Sequence, residues 1–164
     1  MQVYIEVEVN GLELSGGRWM ATIYRQHGSL AVVKALDLIN GYERQTTITN
    51  GVVGEWEWVN PSMITGEEYR TTERWNGKPI YMKMIDFGAL PSNTYKDITA
   101  FDFSPIAVRI EGFIKYTGEN TYAPLTGVSF VDSVQVMNSR VRITTNTASA
   151  TNWSATVVVY YTKS

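Results

Sequence analysis

Residues 54–58 read Gly54-Glu55-Trp56-Glu57-Trp58, two indoles and two carboxylates alternating in five positions. On an extended chain successive side chains point to opposite faces, so Trp56 and Trp58 share one face and Glu55 and Glu57 the other. The two carboxylates are then roughly 6.6 Å apart, at about 3.3 Å per residue. That spacing resembles the acid and base of an inverting glycosidase, but such a pair must flank a scissile bond from both sides. Two glutamates projecting in parallel from one strand cannot. They read instead as a polar face that protects a sheet edge. The indoles read as packing, because each buried aromatic hides about 150–250 Å². Trp19, Leu36 and Leu38 are their expected partners. A flat sugar-stacking platform is the alternative use of the same two rings.

The period of two continues outward in both directions. Val3, Ile5, Val7 and Val9 alternate with polar residues, and turns follow at Asn10-Gly11 and Gly16-Gly17. Strands are expected over 19–25, 30–39, 42–49 and 52–59, punctuated by Asn40-Gly41 and Asn50-Gly51. The run 30–39 has a helical alternative, since Leu30, Val33 and Leu36 are spaced for one, but its β-branched content favours a strand. Asn60-Pro61 closes this meander. Beyond it a hairpin is expected over 74–87 around Asn76-Gly77, then strands over 106–116, 128–137, 141–145 and 153–161. No helix is expected. The fold class is therefore all-β: a small antiparallel module over 1–62, a linker over 63–68, and a C-terminal domain over 69–164 whose short strands suit a β-sandwich or barrel.

Composition narrows the function. With 44% hydrophobic and 18% charged residues the chain is globular rather than disordered. A formal net charge of -2 and the absence of a basic stripe argue against a nucleic-acid partner. No apolar run is long enough to span a bilayer, and the first residues alternate rather than form a leader peptide. Membrane insertion and a secretory signal are thus not expected. There are no cysteines and one histidine, so thiolate metal sites and cysteine nucleophiles are excluded. His27 sits in the polar turn Gln26-His27-Gly28-Ser29 and reads as solvated. No catalytic residues, metal ligands or cofactors are assigned, and an enzyme is not expected.

Two segments resemble a known group of proteins. The run from Trp19 to Met63, with LAVVKALDLINGYERQTTITNGVVGEWEWVNPSM, is similar to small β modules of bacteriophage tail fibres, including those called pyocin-knob-like. Those modules close on G-x-W or G-x-W-x-x-W; here Gly54, Trp56 and Trp58 stand there as W-x-W. The second half is similar to a C-terminal domain of phage tail-fibre and host-adsorption proteins. Its W-x-G-K-P-[VI]-Y element is supplied by Trp75, Gly77, Lys78, Pro79, Ile80 and Tyr81. The Phe-Gly and Leu-Pro turns are matched by Phe87-Gly88 and Leu90-Pro91, and the closing Tyr-Thr-Lys by Tyr161-Thr162-Lys163. Where such domains often carry His-Gly after the first hairpin, this chain has Thr99-Ala100-Phe101-Asp102.

The resemblance implies that the C-terminal domain over 69–164 is a fibre-tip β-sandwich, jelly-roll-like, in a homotrimer joined to an upstream fibre shaft. It implies a place in the virion, made in the host cytoplasm and acting outside the cell. The implied partner is a bacterial surface glycan or cell-wall polymer. The W-x-G-K-P-I-Y stretch itself reads as scaffold, because Asn-Gly makes a type I′ turn and Pro79 suits an edge or bulge. Ligand contacts are expected from two loops that mix aromatic and polar side chains. In the first, 91–97, the candidates are Asn93, Tyr95 and Asp97; in the second, 116–122, they are Tyr116, Glu119, Asn120 and Tyr122. Competing readings are a purely structural trimeric fibre segment or capsid head fibre, a polysaccharide depolymerase, and a bacterial carbohydrate-binding module.

Overall fold

A computed structural model describes residues 19–27 and 29–163, without the side chains of Gln26 and His27. The alternating strand over 2–9, the turns at Asn10-Gly11 and Gly16-Gly17, and the His27 side chain lie outside the described residues. The described chain is almost wholly strand, as the patterning required, with one five-residue 3-10 helix, Ala148–Asn152. No helix among the described residues is long and apolar enough to cross a membrane.

Contacts divide the chain into two compact units. The first holds residues up to Ser62 together with Tyr69–Thr72; the second holds Met63–Glu68 and Glu73–Ser164.

In the first unit β1 (Trp19–His27), β2 (Leu30–Asp37), β3 (Glu43–Thr49) and β5 (Glu57–Asn60) pair in that order, antiparallel. The two-residue strand β4 (Val52–Val53) adds to β3. Val33 and Ala35 are fully buried, with exposed Lys34 between them, which settles the run 30–39 as a strand. It ends at Asp37, whose Oδ1 accepts the Ile39 N–H at 2.9 Å and whose Oδ2 accepts Asn40 Nδ2 at 2.8 Å. Leu38 is therefore carried into the loop and is 57% exposed, not a partner of the tryptophans. Asn50 and Gly51 have φ of 52° and 80°, the two positive angles that a type I′ turn needs.

The Gly54–Trp58 stretch is not one strand. Gly54 approaches β3 closely, donating its N–H to the Thr47 carbonyl at 2.8 Å while Thr46 Oγ1 donates to the Gly54 carbonyl. The strand resumes only at Glu57. Trp58 lies opposite Arg44, whose guanidinium stacks 4.1 Å over Trp58 and 4.7 Å over Trp19. Trp19 and Trp58 thus pack through a cation between them. The carboxylates differ from expectation: Glu57 is buried, and both it and Glu55 bond to Arg70. A buried carboxylate requires such a partner, and Arg70 of the later strand β6 (Glu68–Trp75) is one. The contact between Trp58 and Thr71 is parallel, an exception to the expected antiparallel meander.

The second unit is a two-sheet sandwich. One sheet orders β7 (Lys78–Ala89), β13 (Trp153–Thr162), β9 (Ile106–Tyr116) and β10 (Tyr122–Pro124). The other orders β11 (Val131–Met137), β12 (Arg140–Thr145) and β8 (Tyr95–Thr99). All their pairings are antiparallel. Ile85 and Phe87, Ile114, and Val157, Val159 and Tyr161 of the first sheet share one core with Val141 and Ile143 of the second. Hence Tyr81, Lys83, Ile85 and Phe87 face the core as their spacing requires, and Met82 is buried on the opposite face. Asn76 and Gly77, with φ of 48° and 77°, form the turn into β7. Residues 63–68 carry pairing of their own: Thr65 bridges Met84, and the Gly66 N–H donates to the Met84 carbonyl at 2.8 Å.

Candidate functional site

The two loops singled out by composition meet the same short element. The Asn93 N–H donates to the Thr147 carbonyl at 3.1 Å. The Thr117 N–H and Oγ1 both donate to the Asn152 carbonyl, at 2.8 and 2.9 Å. Thr147 and Asn152 bracket the 3-10 helix, so these anchor points are about 10 Å apart at about 2 Å of rise per residue. The loops therefore share one end of the sandwich. Below them Trp153 packs edge-on against Tyr116 at 5.1 Å and tilted against Phe130 at 5.6 Å. Asn93, Thr94, Glu119, Asn120, Ser149 and Thr151, on these loops and the 3-10 helix, are all exposed. Amides and hydroxyls at one end of a sandwich together with aromatic rings can match both the hydroxyls and the apolar face of a sugar.

The expected candidates separate into groups. Asn93 stands at the loop tip with φ of 50°, and Tyr116 is half-buried on Trp153. Glu119 accepts from Thr121 Oγ1 at 3.4 Å, and Asn120 is exposed beside it. Tyr122 is not in the loop but opens β10; its ring meets exposed Phe113 at 5.9 Å, with Lys115 Nζ 5.7 Å away. Tyr95 and Asp97 likewise belong to a strand, β8, rather than to the loop expected over 91–97. A strand with one solvent face is half polar, and Tyr95-Lys96-Asp97-Ile98-Thr99 gives little apolar alternation to read.

On β8 the outward side chains make a cluster that sequence did not show. Asp97 pairs with Arg142 across β12, accepting Nε at 2.7 Å on Oδ1 and Nη2 at 2.9 Å on Oδ2. The same guanidinium stacks 3.9 Å over the Tyr95 ring. Arg140 Nη1 lies 3.9 Å from Asp97 Oδ2. Arg140 and Arg142 were missed, although Arg140-x-Arg142-x-Thr144 has the period of two that puts all three on one face. Among the described residues no three of His, Cys, Asp and Glu gather as a metal site would require.

The hydrogen bonds from Arg142 hold the Asp97 carboxyl below its ordinary value, with the charges of Arg142 and Arg140 adding to the effect. A depressed carboxyl stabilises the fold above its unfolded pKa, about 3.9, and that contribution is lost as pH falls through the folded value. Asp97→Asn is accordingly expected to lower the urea midpoint at pH 7. The difference from the parent protein should shrink steadily below about pH 4. A gap that stays constant down to pH 2 would mean that the lost stability is not that of the ionised pair.

No protein-family model and no curated protein matches the chain. Among solved structures, a C-terminal fragment of the P. aeruginosa R1 pyocin fibre is a coarse neighbour. It is 10% identical, with a TM-score of 0.28, over 87% of this chain and 57% of that one. The chain thus spans just over half the length of that fragment.

Proposed function

We propose that the chain is the distal part of a bacteriophage-type tail fibre. In this reading it is a homotrimer on an upstream shaft, carried on the virion, that adheres to a bacterial surface glycan or cell-wall polymer without turning it over. The observation that carries the proposal is how the tail-fibre sequence pattern is laid out in space. Its opening element ends at Tyr81 and its closing element begins at Tyr161, eighty positions apart in the chain. These two residues are register partners on β7 and β13, and their rings stack at 6.0 Å. The pattern therefore describes one packed object rather than scattered matches. The polar rim at the loop end of the same unit offers the chemistry that a glycan needs.

The adhesion reading is tested with the fluorescently labelled chain on a panel of bacterial strains. Staining of a subset of strains is expected, together with protection of those strains from phage adsorption. Absence of staining across the panel overturns it. Light scattering on the same sample is expected to give three times the 18.5 kDa chain mass. A purely structural fibre segment is the second reading. It is favoured by the engagement of Asp97 and Tyr116 within the fold rather than toward solvent. A trimer that stains nothing selects it.

A further inference from the structure

The outer face of β8 and β12 carries two guanidinium groups to one carboxylate. A guanidinium carries five N–H groups. Arg142 spends two on Asp97, leaving three, and the two Asp97 oxygens are already engaged by them. Arg140 has a side chain that is 59% exposed and only a long contact to Asp97. Two cations thus face one carboxylate. Next to them Tyr95, 55% exposed, is held by the stacked Arg142. Register places Tyr95 beside Thr144, Asp97 beside Arg142 and Thr99 beside Arg140, so the row descends directly from the loop end. Its length is about 13 Å, four residues at about 3.3 Å each.

A neutral sugar needs donors and acceptors in similar number, because every hydroxyl is both. A surface with two guanidinium groups to one carboxylate, and guanidinium N–H groups left unspent, matches an anion, and a planar fork matches carboxylate or phosphate best. We propose that the Tyr95–Arg142–Arg140 row binds an acidic group of a surface polysaccharide, with Arg140 as the main contact. Arg142 is the positioning residue, fixed by Asp97, and Tyr95 supplies the apolar surface for the adjoining ring. The choice of a polysaccharide as the bearer of the acid rests on the adhesion reading above; the preference for an anion does not.

The test uses the whole 164-residue chain and two polymers, polygalacturonate and uncharged dextran. Binding is followed by interferometry at low and at physiological salt. Polygalacturonate is expected to bind and to weaken with salt, and dextran is not expected to bind. Arg140→Ala should weaken polygalacturonate about tenfold, the loss of one charge-assisted hydrogen bond. Lys78→Ala, at the Asn76-Gly77 turn, removes the same charge and should leave binding unchanged. Equal losses from Arg140→Ala and Lys78→Ala, binding to dextran as tight as to polygalacturonate, or no binding to polygalacturonate at all each overturn the proposal. Staining cells with the same variants separates the two readings. Arg140→Ala that stains as well as its parent sinks the anion row and leaves adhesion standing. Arg140-dependent polymer binding with no stained strain does the reverse.

Discussion

Replacing Gly112 with alanine is expected to destabilise the second unit by about 3 kcal/mol or more, the sum of overpacking and backbone strain. Gly112 lies inside β9 at φ +153°, a conformation that L residues rarely adopt. A Cβ there would stand 2.2 Å from the Thr156 carbonyl oxygen and 3.2 Å from Leu125 Cδ2. The first is backbone of β13, the central neighbour of β9, so no side chain can swing aside. The strands would have to part where Val157 faces Gly112, in the fully buried core. The second neighbour is fully buried too, and the Leu125 N–H donates to the Gly112 carbonyl at 3.0 Å. Thermal unfolding should shift down by about 6–12 °C at about 2–4 °C per kcal/mol. Gly77→Ala provides the control, with φ of +77° but nothing within 4 Å of its Cβ. It should cost only about 1 kcal/mol, the strain alone. Equal losses at both sites would rule out the clash as the cause.

That glycine also marks what a sequence carries and what it hides. A glycine inside a strand pattern signals a bulge or close approach, but Thr156, the group approached, is 44 positions away. Turns and apolar alternation are local, and they were largely legible: the Asn-Gly pairs at 50–51 and 76–77 have positive φ at both residues, while at 40–41 only Gly41 does. Polar strands were not. Glu68–Trp75 buries alternate positions only at Tyr69 and Thr71, and no position of Tyr95–Thr99 is fully buried, so neither segment shows an apolar period; residue 68 read as the end of a linker and 95–97 as loop. The candidate site was half legible for the same reason. Composition pointed to the two loops and to Tyr95 and Asp97, which the structure places on strand β8. It could not supply Arg142, because an ion pair that spans 45 positions leaves no trace in either segment. Nor could it show that Glu57 turns inward, since burial of a carboxylate depends on Arg70 arriving from the next stretch of chain.

Tyr161→Ala is expected to cost about 3–5 kcal/mol, the range for removing a large buried side chain. Tyr161 is fully buried, with Phe101 edge-on at 5.0 Å, Phe103 at 5.8 Å and Tyr81 stacked at 6.0 Å. Its phenol donates to Glu68, whose other oxygen accepts Lys163 Nζ at 2.5 Å. Lys163 in turn lies 4.4 Å over the Tyr81 ring. One side chain therefore ties the start of β6, the start of β7 and the end of β13 to a common core. Tyr161→Phe separates the ring from the hydroxyl. It keeps the packing and should cost about 1 kcal/mol, because exposed Glu68 regains water. The two variants also differ in pH dependence. Burial, and then the bond to Glu68, push the Tyr161 phenol above its ordinary value. A raised acid stabilises the fold fully below its unfolded pKa, about 10. That contribution drains away as pH rises from there toward the folded value, because the unfolded chain releases the proton first. The parent protein should therefore lose stability above about pH 10 more steeply than Tyr161→Phe does. Parallel alkaline limbs would show that the other tyrosines titrate there, and would leave packing as the whole contribution of Tyr161.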